Sequence, residues 1–211
     1  STDNSKEIAK SFENQIKYLY QENQGGGGAR NHGLENARGD IIGFLAADDL
    51  WSADILSRQL HHLEDDQVEL VMGHTQCVRE IETEDGKIEF NKLTDPLLVP
   101  LMGSYILRKS VFLKVGYFNP ELRMSEDVDW FLQVRECGVK IVTMPEVTLL
   151  YRRHQDNITN IKTWQDLNLF EVIKKSLNRR REQGKGVAGS LPDLSSFQSV
   201  PKREPPHKPE R

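Results

Sequence analysis

Two aspartates close the apolar run in "DIIGFLAADDLW", residues 40–51, and a second acidic pair, Glu126 and Asp127, opens "SEDVDWFLQVRECG". Open α/β sheets collect ligands at the C-terminal ends of their strands, and carboxylate oxygens suit Mg2+ or Mn2+ shared with substrate phosphates. Asp48 and Asp49 therefore read either as cation ligands or as two acids in a strand-to-helix turn. Glu126 and Asp127, with Asp129 nearby, fit a general base at the edge of a site. The same acids also suit a first helical turn, where the macrodipole favours carboxylates by a few tenths to ~1 kcal/mol.

Two further stretches carry chemistry. Gly25, Gly26, Gly27 and Gly28 precede Arg30 and Asn31. Glycines let backbone N–H groups approach an anion, and a helix N-terminus with Arg30 adds positive potential; the competing reading is a flexible turn. Neither GxxxxGK[ST] nor strand-GxGxxG-helix is present. In "YRRHQDNIT", His154 stands just beyond a strand, placed either to ligate a metal or contact phosphate, or as an incidental surface residue. Arg152 and Arg153 point to opposite faces of that strand, so at most one shares a cleft with His154.

The elements that must hold these residues alternate. "NSKEIAKSF" reads as a short helix and "QIKYLY", residues 15–20, as a strand with Ile16, Tyr18 and Tyr20 on one face. Residues 27–38 favour helix, with Ala29, Gly33, Leu34 and Ala37 on one side, and "DIIGFLAA" is apolar enough for a strand buried on both faces, which makes a β-α-β unit of a parallel sheet. Ser52 caps a helix carrying Leu56, Leu60 and Leu63 at helical spacing, and "VELVMGHTQCV" returns as a strand. A β-like stretch with a turn at "TEDGK", a strand at "SYILRK" and a short helix closed by Gly116 follow. The strongest helix starts at Ser125 and ends at Gly138, with Val128, Phe131 and Leu132 inward; "VKIVTM" and "VTLLYRR" are two more strands. A polar helix from about Thr163 to Arg181 completes the pattern.

Composition narrows the classes. A chain of 211 residues suits one domain with a real core. The low mean hydropathy, −0.59, comes from the C-terminus, where residues 179–211 are rich in Gly, Pro, Ser and charge. We expect a folded unit over residues 1–178 and a disordered tail over 179–211. That tail is net +4 within a chain of net −4, so the body is acidic and unsuited to phosphate-backbone binding; nucleic acid is not an expected partner. Cys77 and Cys137 lack disulfide or zinc spacing. No apolar run nears the ~18–20 residues of a transmembrane helix, and no leader opens the chain, so a soluble, reducing compartment is the expectation.

Together these motifs, in register over about residues 1–160, resemble the family 2 glycosyltransferases of the GT-A fold. "STDNSKEIAK" resembles the segment after the nucleobase strand, "NQGGGGARNHGLENARGDIIGFLAADDLW" the donor-binding helix and metal strand, "SEDVDWFLQ" the ED motif and "YRRHQDNIT" the late basic-His motif. The resemblance implies a Rossmann-like three-layer α/β/α sandwich around a mostly parallel sheet. It implies transfer of a sugar from a nucleoside-diphosphate sugar to an acceptor hydroxyl, with inversion, in polysaccharide or glycoconjugate synthesis. Asp48, with Asp49 beside it, is the matched ligand of Mn2+ or Mg2+, His154 a further metal or diphosphate contact, and Arg30 and Asn31 are donor contacts. Asp127 matches the base, with Glu126 shaping the site. A glycan, lipid-linked sugar or protein is the acceptor, and the location is cytoplasmic or at the cytoplasmic membrane face.

Two departures bear on this. Ala46 stands where the family pattern usually has an acid, and the chain begins after the family's first strand and nucleobase-binding segment, about 35 residues by ordinary element lengths. An incomplete sheet opens a wall of the donor pocket, so the alternatives are an inactive remnant acting as an interaction module and, lower, a nucleotidylyltransferase, for which no first-strand Gly-rich loop with a following lysine is present.

Overall fold

The computed structural model describes residues 3–12, 15–155, 157 and 167–182. Its six strands are β1 (Ile41–Gly43), β2 (Leu50–Trp51), β3 (Leu70–Glu82), β4 (Ile88–Lys92), β5 (Tyr105–Arg108) and β6 (Ile141–Arg152). The helices are α1 (Ser5–Lys10), α2 (Gly25–Asn36), α3 (Ile55–His62), α4 (Val111–Val115), α5 (Glu126–Glu136) and α6 (Leu169–Glu182). The strands form one mixed sheet in the order β1-β5-β3-β6-β2, with β4 hairpinned onto β3. β3 and β6 are the parallel pair at its centre; β1 and β2 join through antiparallel partners.

Period-two alternation divides the core. Leu70 and Met72 of β3, with Tyr105 and Leu107 of β5, face a cluster that includes Leu34 of α2, Phe112 of α4 and Trp130, Phe131 and Val134 of α5. Val71 and Ile106 face the other side, against Ile55 of α3, Leu63 and Met144. Helices thus cover both faces, which is the expected α/β/α layering. Trp130 is fully buried, stacks on Phe112 at 4.8 Å and donates its indole N–H to the Gly116 carbonyl at 2.8 Å. Among the described residues no helix is long and apolar enough to cross a membrane.

Several local expectations are corrected. Residues 15–20 form no strand; Ile16, Tyr18 and Tyr20 are exposed or nearly so, and β1 pairs antiparallel with β5, so the β-α-β unit drawn from "QIKYLY" to "DIIGFLAA" is absent among the described residues. The apolar run is split: β1 covers three residues, and β2 is a separate strand on the far edge of the sheet. The buried stripe of α3 is Ile55, Gln59 and Leu63, leaving Leu56 and Leu60 outside. Gln59 can be interior because its amide donates to the carbonyls of Val71 and Ser104, each at 3.3 Å. In α5 the inward apolar residues are Trp130, Phe131 and Val134, while Val128 faces out. In α2 the buried positions are Gly27, Gly28 and Leu34, and Ala29 and Gly33 are exposed.

"VKIVTM" and "VTLLYRR" prove to be one strand, β6, running through Pro145. Proline cannot donate to a ladder, and it is tolerated here because the register against β3 shifts between Met72 and His74. The expected start of the last helix at Thr163 and the tail from residue 183 lie outside the described residues; α6 itself continues past residue 178 to Glu182.

That irregular stretch leaves no room beside Gly73, where an added Cβ would lie 2.2 Å from Thr148 Cγ2 and 2.7 Å from the Glu146 carbonyl oxygen. Gly73→Ala is therefore expected to lower unfolding free energy by about 2–3 kcal/mol. Urea denaturation measures it, and a variant as stable as the parent contradicts this packing.

Candidate functional site

The chain leaves β1 at Gly43 and turns over Ala46–Asp49, where the Asp49 N–H donates to the Ala46 carbonyl at 3.1 Å. β2 then pairs Leu50 with Leu150 and Trp51 with Leu149. This short ladder sets the turn against the C-terminal end of β6. Asp49 accepts the Arg152 backbone N–H at 3.0 Å and is 9 % exposed. The Arg152 guanidinium donates to the Asp48 carbonyl and pairs with Glu80 at 2.8 Å.

Beyond Arg152 the side chains converge. Asp48 Oδ2 lies 3.1 Å from His154 Nε2, and Asn157 Nδ2 lies 3.4 Å from the same carboxylate oxygen and 3.0 Å from the same ring nitrogen. Asn157 is itself fixed, since its Oδ1 accepts the His154 backbone N–H at 2.7 Å. One carboxylate oxygen and one imidazole nitrogen thus lie side by side, with the Asn157 amide nitrogen against both. Among the described residues no group of three His, Cys, Asp or Glu side chains could hold a metal ion, and the Asp49 carboxyl is turned to the β6 backbone. Two protein donors would suit a Mn2+ or Mg2+ ion if water and substrate oxygens completed its shell, and the imidazole suits the softer Mn2+ better.

The second group lies where α2 meets α5. A Cβ on Gly26 would sit 2.5 Å from Glu126 Oε1, and one on Gly27 would sit 3.3 Å from Glu126 Cγ and 3.4 Å from the Asn119 carbonyl oxygen. The glycines are thus the first turn of α2, bare so that Glu126 can lie against it. Glu126 pairs there with Arg30, whose guanidinium also stands 5.8 Å from the Phe118 ring centre. Asn31 donates to the Phe118 carbonyl at 2.9 Å and accepts the Phe118 N–H at 3.0 Å, pinning the loop that precedes α5.

Asp127 follows Glu126 in the first turn of α5 and is only part exposed. Burial pushes its carboxyl above the usual range and the Glu126 charge adds to the rise, while Arg30 opposes it. Its Oδ1 accepts the Val128 N–H at 2.9 Å. A carboxylate whose proton affinity is raised in this way suits a proton acceptor.

The seven residues singled out from the sequence therefore fall into two clusters: Asp48, Asp49 and His154 at the end of β6, and Arg30, Asn31, Glu126 and Asp127 at the α2–α5 contact. Sequence reasoning missed Asn157, which aligns the first cluster, and the packing role of Gly26 and Gly27. The only hint of the latter was four glycines directly before a helix carrying an Arg-Asn pair.

Asp49 offers a pH signature. Burial is the largest influence on it and raises the carboxyl from 3.8 to about 6, with Asp48 adding to the rise and the Arg152 N–H and positive charges opposing it. The folded chain then binds this proton more tightly than the unfolded chain. Its contribution to stability is full below about pH 4 and is lost as the pH rises through about 6. Asp49→Asn should therefore gain on the parent over that window, levelling at about 3 kcal/mol, in chelator-treated samples denatured at a series of pH values. A stability difference independent of pH contradicts it.

Known proteins share the family sequence pattern and the fold. Residues 1–126 match the family model for glycosyl transferase family 2. An uncharacterised glycosyltransferase of Rickettsia typhi is 30% identical over 175 residues, covering 76% of this chain and 54% of that protein. The chain thus spans about half the length of that relative. Among solved structures, S. aureus TarS 1-349 in complex with UDP-GlcNAc superposes with a TM-score of 0.63 at 14% identity, over 93% of this chain and 58% of that one. GalNAc-T7 with UDP, GalNAc and Mn2+ gives 0.56 at 14% identity, over 93% and 45%. These likenesses carry the GT-A fold, and with the matched residues they lead to one conclusion: this chain belongs to glycosyl transferase family 2.

Proposed function

We propose that the chain binds a nucleoside-diphosphate sugar and transfers its sugar, with inversion, to an acceptor hydroxyl in polysaccharide or glycoconjugate synthesis. The observation that carries this is the convergence of Asp48 Oδ2 and His154 Nε2, 3.1 Å apart, at the C-terminal end of the central strand β6. UDP-GlcNAc in one structural neighbour, and UDP with Mn2+ in another, support a metal-bridged UDP-sugar as the donor.

Asp48 and His154 would hold Mn2+ or Mg2+ through one oxygen and one nitrogen, and the ion would there offset charge on the departing diphosphate. Asn157 keeps both donors aligned. Asp127 takes the proton of the acceptor hydroxyl as that oxygen attacks the anomeric carbon and the bond to the diphosphate breaks; burial raises its proton affinity, which suits a base. Glu126 holds Arg30 at the edge of the donor site, fixing a positive charge near the base without spending the base on the ion pair. Asn31 serves by holding the Phe118 loop.

Calorimetry with UDP-GlcNAc tests the metal arm. Mn2+ should tighten binding to the parent at least tenfold and leave Asp48→Ala unmoved; equal responses from both overturn the assignment and favour a non-catalytic interaction module. Asp127→Asn should retain donor affinity within about threefold and lose 100-fold or more in UDP release. Parental turnover in that variant overturns the base assignment.

A further inference from the structure

Among the described residues three non-glycine residues are left-handed, and each directly precedes a helix: Asp54 before α3, Ser125 before α5 and Asn168 before α6. Two of these starts are tied together, because Ser125 Oγ donates to the Leu167 carbonyl at 2.5 Å. A serine opening a helix ordinarily lies in extended backbone and accepts an N–H from the first turn. Ser125 does neither: φ is 58°, ψ is 24°, and no side-chain cap bond is made. A glycine would take this conformation freely, so a serine there implies a use for its hydroxyl.

The contact continues along both helices. Arg179 of α6 donates to Asp129 at 2.9 Å and to Glu136 at 2.7 Å, and Ser176 Oγ donates to Glu136 at 2.6 Å. The two carboxylate side chains are 3 % and 5 % exposed, so the guanidinium is the partner that makes their burial tolerable. Asp129 is two residues from Asp127. The first turn of α5 therefore presents Glu126 to α2 and Asp129 to α6, and the two contacts together fix the rotation of the helix that carries Asp127.

We propose that α6 positions the Asp127 carboxylate, acting through Ser125 and Arg179. This rests on reading Asp127 as the base. The Leu167 carbonyl fixes the serine hydroxyl, the serine sets the direction in which α5 begins, and Arg179 stops the helix turning about its axis. Ser125 and Arg179 are positioning residues: neither touches substrate, and the sequence motif around the acidic pair gives α6 no part.

Ser125→Gly separates the roles, since it keeps the backbone conformation and removes the hydroxyl. Ser125→Asn is the conservative partner, because asparagine tolerates the left-handed region and can donate its amide. The decisive readout is the 13C titration of the Asp127 carboxyl in the full chain, assigned with Asp127→Asn. The groups facing it are Glu126 on its own helix, Arg30 from α2 and Tyr105 from β5. In Ser125→Gly the midpoint should fall toward the ordinary value as the carboxylate moves into solvent, with Tm equal to or above the parent's, and Ser125→Asn should restore it. With UDP-GlcNAc and Mn2+, kcat for UDP release into water should drop by about ten- to a hundredfold while KM stays within about twofold. An unmoved midpoint overturns the proposal whatever the kinetics show. A shifted midpoint in a chain that turns over no UDP-GlcNAc upholds the positioning and rejects the base reading.

Discussion

Glu126 lies against bare helix backbone, and the acidic side of the site depends on that approach. A Cβ on Gly26 would meet the Glu126 carboxylate and one on Gly27 its Cγ, so the two glycines leave the Glu126 side chain room against α2. There Arg30 reaches Glu126, and Asn31 reaches the backbone of Phe118 on the loop entering α5. An ion pair this close to the protein interior survives only when both partners are present, because either charge alone would be left poorly solvated. The glycines and the charge pair are therefore one device, and Asp127 inherits its place from it.

The other side of the site is held by the sheet. β6 runs parallel to β3 through the centre of the molecule and then extends to Arg152, where two residues of β2 clip the Ala46–Asp49 turn alongside. Asp49 spends its carboxyl on the Arg152 N–H, and burial makes it a weak acid. Asp48, its neighbour, is left facing His154 and Asn157. Adjacent aspartates thus divide the work: one anchors the turn, the other is available to a cation. Ala46, where an acid was anticipated, contributes its carbonyl to the same turn.

Much of this was legible in the chain. The acidic run end, the Glu126-Asp127 pair and His154 were singled out from residue type and place, because their chemistry is short-range and their spacing is local, and the structure sets them in two clusters. What was lost depends on partners distant in sequence. The burial of Gln59 in α3 needs the carbonyls of Val71 and Ser104, so a stripe drawn through Leu56 and Leu60 was one residue out of phase. The glycines read as a loop because nothing local announces that Glu126, about a hundred residues on, needs the space. Residues 15–20 alternate like a strand yet find no partner among the described residues; alternation gives a face to bury but cannot supply the neighbour that buries it. Pro145 divided β6 on paper because a register shift in β3, the condition for tolerating it, leaves no mark in β6 itself.

The account stands most directly on whether Asp48 and His154 share a metal with a donor diphosphate. Pulsed electron paramagnetic resonance of Mn2+ added with UDP reads the coordination shell itself. The account predicts a 31P coupling from the diphosphate together with a 14N coupling from imidazole, the nitrogen signal vanishing in His154→Gln while the phosphorus signal persists. A phosphorus coupling with no nitrogen partner in the parent chain, or a nitrogen coupling that survives His154→Gln, would contradict it.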